Sequence, residues 1–363
     1  MILFFAIVGV AASLITAGIL YQWLGARSDR RRYAREGRWI DIGGRRSLYL
    51  VEKGSGNPTV LFEAGIAATN LNWFHIQEPV SRFASTVSYD RGGLGWSSPC
   101  RTPRTPSNIA TELHQLLERA SIKPPYILVG HSFGGLVMRR FALDYPEEVT
   151  SIVLVDPMRI EEWPPLNPSK QSELNLGRNL FRVAIPVARI GITRLAVTSL
   201  FLRSGRAARR LAGAAGKGGQ RVLDRVTDEV GKMPREVWPM IAAHWSRPDN
   251  FAGMRSHVEA VPDTVREMQN TEPIQKIPVL VLTPGKSTPL SDECLRCIGN
   301  NVQQLIAPSS AHWIHLDQPD LVIDSIRKMV GAASSEAVTA AGCCVDQEVH
   351  ATAGREAGAT GLL

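Results

Sequence analysis

The sequence contains few cysteines, and their number and spacing exclude one class of protein. There are five in 363 residues, an odd number at irregular intervals, which argues against a secreted fold built on disulfides. Cys294 and Cys297 have the spacing of a redox motif, but they follow a late predicted strand and lie outside any first βαβ unit. We interpret them as thiols on a helix surface, not as a metal or redox site.

Charge is absent from the first 24 residues, Met1 to Leu24. As a helix this stretch would be about 36 Å long, enough for a hydrocarbon core of about 30 Å. Tyr21 and Trp23 lie where interfacial aromatic residues are expected. A cleaved signal peptide is the alternative, but no Lys or Arg precedes the apolar run, which is also longer than the apolar part of a signal peptide. We therefore expect residues 1–24 to be a retained transmembrane helix.

The apolar stretch is followed at once by arginines. They are Arg27, Arg30, Arg31, Arg32 and Arg35. Such a cluster beside a membrane span favours the cytoplasmic side and attracts anionic head groups. We expect residues 25–36 to form a basic juxtamembrane linker, with the N-terminus outside and the rest of the chain in the cytoplasm.

Acidic residues are absent from Arg178–Arg221, which contains nine arginines and one lysine. Helical spacing places six of these arginines on two faces, Arg178, Arg182 and Arg189 on one and Arg203, Arg206 and Arg210 on the other. A solvated basic face and a surface that touches lipid head groups are both compatible with this pattern. The aromatic residues among these charges are Phe181 and Phe201 alone, with no regular interleaving, and no nucleic-acid motif is present. We therefore expect no nucleic-acid partner.

The chain otherwise divides by its pattern of predicted elements. Apolar strands alternate with helical patterns over residues 37–156 and 273–332, which favours a mostly parallel sheet covered on both faces. Residues 157–272 interrupt this alternation with proline-punctuated short helices. Residues 333–363 are rich in Ala, Gly, Ser and Thr and are predicted to be disordered.

A strand-turn-helix pattern surrounds Ser132. Tyr126–Val129 is β-prone and apolar, glycines occupy positions 130 and 134, and a helical pattern begins at Leu136. The pattern is that of the G-x-S-x-G nucleophile elbow, in which a Cβ on either side of the strained serine would clash with the turn. The motif alone is weak, but the strand before it and the helix after it support a nucleophilic Ser132.

Five segments together resemble the α/β-hydrolase superfamily with a Ser-His-acid triad. They are Glu63–Ile66, Tyr89–Ser97, Gly130–Gly135, Val153–Pro157 and Ala311–Asp317. The resemblance covers about residues 37–332 outside the insert. It implies an α/β-hydrolase fold, with a mostly parallel central sheet, helices on both faces, and a helical cap (residues 157–272) inserted after the sixth strand.

The resemblance implies that His312, in the loop after the last strand, is the catalytic base. His315, three residues later, is the second candidate, and we expect it to pack. His131 lies inside the elbow and is interpreted as structural.

The triad acid departs from the common pattern of the superfamily, which places an Asp about three residues after the glycine that ends the seventh strand. That strand ends near Gly285, and no carboxylate lies at that spacing. Asp156, at the end of the sixth strand, occupies an alternative acid position of the superfamily. Asp292 remains a candidate, although it could equally cap a helix. We favour Asp156, because a strand terminus holds a side chain more rigidly than a loop.

An oxyanion hole needs two backbone N–H groups. Phe133 follows the nucleophile and supplies one, and the resemblance assigns the other to Ile66. The usual His of the His-Gly-x segment is replaced by Ala64, so we expect this loop to be braced differently. Asp90 and Arg91 are expected to support the site region.

These features together predict a membrane-anchored serine hydrolase that cleaves an ester, lipid or small acyl compound through an acyl-enzyme. The expected partners are a lipophilic small molecule and membrane lipid, and neither a metal nor an organic cofactor is implied. Epoxide hydrolase and dehalogenase chemistry is disfavoured, because both need a carboxylate nucleophile where Ser132 lies. A cofactor-free haloperoxidase or dioxygenase, and a ligand-binding signalling receptor with little or no turnover, remain alternatives.

Overall fold

The computed structural model describes residues 1–163, 168–202 and 229–335 of the chain. The predicted basic face at Arg203, Arg206 and Arg210 lies outside the described residues, as does the predicted tail from residue 336 onward.

The core is one eight-stranded sheet. Its strands are β1 (Arg38–Gly43), β2 (Arg46–Lys53), β3 (Thr59–Glu63), β4 (Ser85–Asp90), β5 (Tyr126–His131), β6 (Val149–Val155), β7 (Val279–Pro284) and β8 (Val302–Ala307). They lie in the order β1-β2-β4-β3-β5-β6-β7-β8. The pairs β1–β2 and β2–β4 are antiparallel, and all other neighbours are parallel. The predicted α/β-hydrolase fold, with its mostly parallel sheet, is confirmed.

Eleven helices have both ends within the described ranges. They are α1 (Ile2–Tyr33), α2 (Phe74–Val80), α3 (Pro106–Ala120), α4 (Phe133–Asp144), α5 (Pro168–Arg189), α6 (Ile192–Leu202), α7 (Trp238–Trp245), α8 (Pro248–Glu259), α9 (Val261–Gln269), α10 (Asp292–Ile298) and α11 (Ile314–Asp317). A further helix, α12, covers residues 319–335, and short 3-10 turns lie between several elements.

The central strands are buried because helices cover both faces of the sheet. Every residue of β3, β5 and β7 is buried, as expected for parallel strands that are apolar on both sides. On one face Leu113 of α3, Phe141 of α4 and Leu128 of β5 belong to one buried cluster. On the other, Ile76 of α2 and Ile326 of α12 belong to a second buried cluster.

The register of β5 and β6 determines where the functional residues lie. His131 is paired with Val155 in this parallel ladder. The next residue of each strand, Ser132 and Asp156, therefore emerges side by side at the carboxyl edge of the sheet, where ligands of open α/β sheets bind.

The first helix extends beyond the apolar segment and packs on the cap. It continues to Tyr33, so most of the segment predicted as a linker is helical, since arginine is a good helix former. A Cβ on Gly18 would lie 2.3 Å from the carbonyl oxygen of Ile190, at the α5–α6 corner. Arg194 of α6 donates to Gln22 Oε1 at 2.9 Å and pairs with Asp29 at 2.6 Å.

Candidate active site

The turn at Ser132 has strained backbone geometry. Its φ of 52° and ψ of −119° lie outside the regions that L-residues favour. A Cβ on Gly130 would lie 2.6 Å from the carbonyl oxygen of Gly134. A Cβ on Gly134 would lie 2.5 Å from the carbonyl oxygens of Glu63 and Ala64. The two glycines therefore allow the turn to pack directly on the end of β3.

Backbone hydrogen bonds tie this turn to the end of β6. The Ser132 N–H donates to the Val155 carbonyl at 3.0 Å, and the Met158 N–H donates to the Ser132 carbonyl at 3.1 Å. The Asp156 N–H donates to Leu282 of β7 at 2.8 Å. These bonds hold the candidate nucleophile and the candidate acid on one rigid edge.

Asp156 and His312 form a direct hydrogen bond. His312 Nδ1 donates to Asp156 Oδ2 at 2.7 Å, and the two side chains are 37% and 15% exposed. This bond leaves Nε2 of the imidazole for another partner. Asp292, by contrast, is exposed in the first turn of α10, where Ser291 accepts from the Cys294 N–H as the N-cap. The structure therefore brings Asp156, and not Asp292, to the histidine.

The other two candidate histidines are buried beside His312. His131 Nε2 donates to the His312 carbonyl at 3.0 Å, which supports the loop that carries the candidate base. His315 has no exposed surface, and its ring lies 4.9 Å from that of Trp73. Burial lowers the pKa of His315 to about 3, with a smaller contribution from His312. His315 is therefore neutral at physiological pH and packs inside the core.

The candidate oxyanion donors, Ile66 and Phe133, both border the same cavity as Ser132. Arg91 donates to the carbonyls of Ala64, at 3.1 Å, and of Gly65. It thereby braces the loop that in this sequence lacks the usual histidine. A buried cation is costly unless it is paired. Glu63 supplies the opposite charge, with its Oε1 at 3.3 Å from Arg91 Nε.

The sequence analysis did not pair Glu63 with Arg91. The position of Glu63 at the end of an apolar strand was the available signal, because a buried carboxylate needs a partner. Tyr89 also donates to Glu63. Asp90 faces elsewhere and accepts from the N–H groups of Asn70 at 3.0 Å and Trp96 at 2.9 Å. Burial raises the pKa of Asp90 to about 6, against the opposing effect of these two donors.

A second residue missed from the sequence is His257 of α8, for which no local motif exists. It is fully buried, its Nδ1 donates to the Gly253 carbonyl at 2.8 Å, and its ring lies 6.0 Å from that of Phe133. Burial, followed by the charges of Arg91 and Arg104, lowers its pKa well below the usual value. A neutral ring therefore supports Phe133 from the cap side.

Ser132, Asp156 and His312 line one cavity of about 520 Å3, within the size range of small-molecule sites. The cap supplies one wall through Lys170, Leu174 and Gly177 of α5, Val258 of α8 and Val261 of α9. The loop after β6 and residues Ser287 and Thr288 after β7 form the opposite side. Within the described residues, no group of three or more His, Cys, Asp or Glu side chains is arranged to hold a metal ion.

Comparisons with known proteins agree with this fold. Residues 58–182 match the model of a family described as the alpha/beta hydrolase fold. A 105-residue segment is 34% identical to the uncharacterized protein YqjL of Bacillus subtilis and covers 29% of this chain and 42% of that protein. An AB hydrolase superfamily protein of Gibberella zeae is 33% identical over 120 residues, which are 31% of this chain and 37% of that protein. The matched segments thus span less than half the length of these curated relatives.

Solved structures extend the likeness over most of the chain. The Cif epoxide hydrolase of Acinetobacter nosocomialis superimposes with a TM-score of 0.61 over 86% of this chain and 96% of its own. The sequence identity is 15%, so this likeness concerns the fold alone.

Proposed function

This chain is an α/β-hydrolase-fold protein, and on that premise we propose that it is a serine hydrolase that cleaves an ester, lipid or small acyl substrate. The observation that carries the proposal is the hydrogen bond of 2.7 Å between His312 and Asp156, in the cavity that Ser132 also lines. A serine hydroxyl is a weak nucleophile and needs a base that a third group orients.

The proposed reaction proceeds in two halves. Ser132 Oγ attacks the substrate carbonyl while His312 Nε2 takes its proton, and Asp156 stabilises the imidazolium that forms. The backbone N–H groups of Ile66 and Phe133 donate to the oxyanion. His312 then protonates the leaving alcohol, the C–O bond breaks, and an acyl-serine remains. Water, deprotonated by His312, attacks this ester and releases the carboxylic acid and free Ser132.

The nucleophile distinguishes this proposal from epoxide opening, the activity in the name of the structural neighbour. Attack of a serine oxygen on an epoxide would form an ether, which water does not cleave. A carboxylate nucleophile forms an ester instead, which water can hydrolyse. Ser132 therefore favours acyl substrates.

The proposal is tested with a fluorophosphonate probe and p-nitrophenyl esters of increasing chain length. We expect covalent labelling at Ser132 and ester turnover, and Ser132→Ala should lower kcat by several orders of magnitude while the protein stays folded. Near-normal turnover by this variant would exclude Ser132 as the nucleophile. Ligand binding without labelling or turnover would instead support the receptor alternative.

We further propose that α1 anchors the protein in a membrane as a single span. The helix has 32 residues and a mean hydropathy of 2.5 over its most apolar window, none of which is buried. The arginines at 27–35 favour the cytoplasmic side for the domain that follows. Lipid contact by the cap is supported by exposed apolar side chains on α5 at Leu176, Leu180 and Val183, which recur at helical spacing.

The contact between α1 and the cap gives this attachment a fixed geometry. Gly18 lies within the apolar stretch, about 9 Å along the helix from Leu24, and it touches the α5–α6 corner. If residues 1–24 span the bilayer, this corner lies about 6 Å inside the hydrocarbon core, near the edge that faces the arginines. A lipophilic substrate could then reach the cavity behind α5 without crossing water.

Two experiments test the membrane proposal. Full-length protein should stay in membranes after alkaline carbonate extraction, whereas a chain beginning at Gly37 should be released. The shortened chain should still bind anionic liposomes at low salt and dissociate at high salt, because the arginine attraction is screened. If the shortened chain fails to bind these liposomes at every salt concentration, the lipid contact is limited to α1.

A further inference from the structure

A second cavity, of about 330 Å3, lies beside the first. The two share the segment Pro157–Arg159 as a common wall. Much of the remaining lining is apolar, from Ile160, Met268, Leu290 and Ile298. Such a chamber suits an apolar body, and its polar groups decide what else a ligand must carry.

One of these polar groups is Arg139 of α4, which is 6% exposed and lines the cavity. Its Nη2 donates to the Cys297 carbonyl at 2.9 Å, while its Nε, which is itself buried, has no hydrogen-bond partner among the described residues. Burial lowers the pKa of Arg139 to about 10, so it remains a cation at neutral pH.

Three other arginines are buried in the described part of the chain, and they show what this one lacks. Each forms an ion pair: Arg91 with Glu63 at 3.3 Å, Arg104 with Glu112 at 2.8 Å, and Arg194 with Asp29 at 2.6 Å. Arg139 has no carboxylate within 4.0 Å among the described residues. A buried charge without a counter-ion is costly, and a bound anion would remove that cost.

We propose that this cavity binds an organic carboxylate, with the carboxylate on Arg139 and its alkyl chain among the apolar side chains. The guanidinium matches a carboxylate through paired N–H donors and opposite charge, whereas a neutral alcohol offers one oxygen and no charge. Thr271 and Gln269 also line the cavity and add polar groups to its wall. The inference rests on this cavity alone and does not depend on hydrolysis at Ser132.

Glu161 is the acidic residue that lines the cavity, and it is exposed. Its charge favours the Arg139 cation from a distance and would repel a bound carboxylate. Neutralising Glu161 should therefore strengthen anion binding if the proposal is correct. If Glu161 itself closes on Arg139 in solution, neutralising it should leave a buried charge and destabilise the protein.

The test uses full-length protein in lipid nanodiscs, with hexanoate and hexan-1-ol as ligands of equal chain length. Cys294 and Cys297 line this cavity and not the first one, so their rate of alkylation by iodoacetamide reports occupancy. We expect hexanoate to slow the alkylation of Cys294, hexan-1-ol to have little effect, and Cys100 to react at an unchanged rate.

Two neighbouring arginines provide a matched pair of variants. Arg139→Met keeps the apolar volume and should weaken hexanoate protection by about tenfold or more. Arg140→Met should leave protection unchanged, because Arg140 pairs with Asp144 on its own helix. Protection that persists in Arg139→Met, or that hexan-1-ol gives equally, would overturn the proposal.

A second variant keeps the test decisive if Arg139→Met fails to fold. Glu161→Gln should increase hexanoate protection without lowering the melting temperature. Unchanged or weaker protection would refute a carboxylate site. A destabilised protein would assign Glu161 as the partner of Arg139 and would refute the site as well.

Discussion

The acid sensitivity of the fold should be traceable to buried histidines, and His315 is the one nearest the candidate active site. Neither of its ring nitrogens has a hydrogen-bond partner among the described residues, and its ring lies 4.4 Å from that of His131. His244 of α7 is equally buried and stacks edge-on against Trp96 at 4.6 Å. Burial lowers the pKa of each to about 3.

The sign of the effect follows from proton linkage. The unfolded chain binds a proton at each of these histidines near pH 6.5, whereas the folded chain does so only near pH 3. Their contribution to stability is thus fully present above pH 6.5 and is lost as the pH falls towards 3. At pH 5 the unfolding free energy of the protein should be lower by about 2 kcal/mol for each of these histidines. Asp90 acts in the opposite direction. Its pKa is raised to about 6 in the folded protein, so its protonation should raise the unfolding free energy by about 1 kcal/mol at pH 5.

The perturbation is His315→Leu, which has similar volume and removes the titrating group without leaving a hydrogen-bonding partner unsatisfied. We expect a change of less than about 1.5 kcal/mol at pH 7 and an ester-hydrolysis rate near that of the wild type. Between pH 7 and pH 5 the variant should lose about 2 kcal/mol less unfolding free energy than the wild type.

The assay is urea unfolding of the full-length protein in one detergent at both pH values. His244→Leu is the matched control, because it lies in a different element and should reduce the pH dependence by a similar amount. If His315→Leu shows the wild-type pH dependence, burial does not hold the His315 imidazole neutral in the folded protein. Loss of ester hydrolysis at pH 7 would contradict the assignment of His312 as the base.

Further predictions concern the triad acid and the elbow. Asp156→Asn should lower kcat by about 10⁴, whereas Asp292→Asn should change it little, because Asp292 is exposed at the start of α10; the reverse result in ester kinetics would move the acid. Gly134→Ala should lower stability by about 1–3 kcal/mol, because its Cβ would lie 2.5 Å from two carbonyl oxygens of the β3 loop. An unchanged melting temperature would show that the loop after β3 can shift to make room for the added Cβ. On α1, Gly18→Leu should lower the melting temperature by displacing the α5–α6 corner, whereas Gly9→Leu, with open space around it, should not.

The sequence by itself determined the elements and the elbow, because these depend on neighbouring residues. The apolar run before Ser132 predicts β5, and the glycines around it predict the turn whose φ is 52°. The order of strands and helices predicts the mostly parallel sheet. The apolar start of the chain predicts a helix, although the arginines beyond it did not end that helix as expected, since it continues to Tyr33.

The tertiary structure alone decided which charged groups meet, because their partners are distant in the chain. Asp156 and His312 are separated by 156 positions, and only the β6 terminus and the loop after β8 place them in contact. Arg194 pairs with Asp29 across 165 positions, which joins the cap to the predicted membrane helix. Arg139 and Arg140 are neighbours in sequence, yet within the described ranges Arg139 is buried without a carboxylate partner, whereas Arg140 pairs with Asp144 on its own helix. Adjacent residues of a helix point in different directions. The elements packed against each side of the helix therefore determine which charged groups surround each side chain.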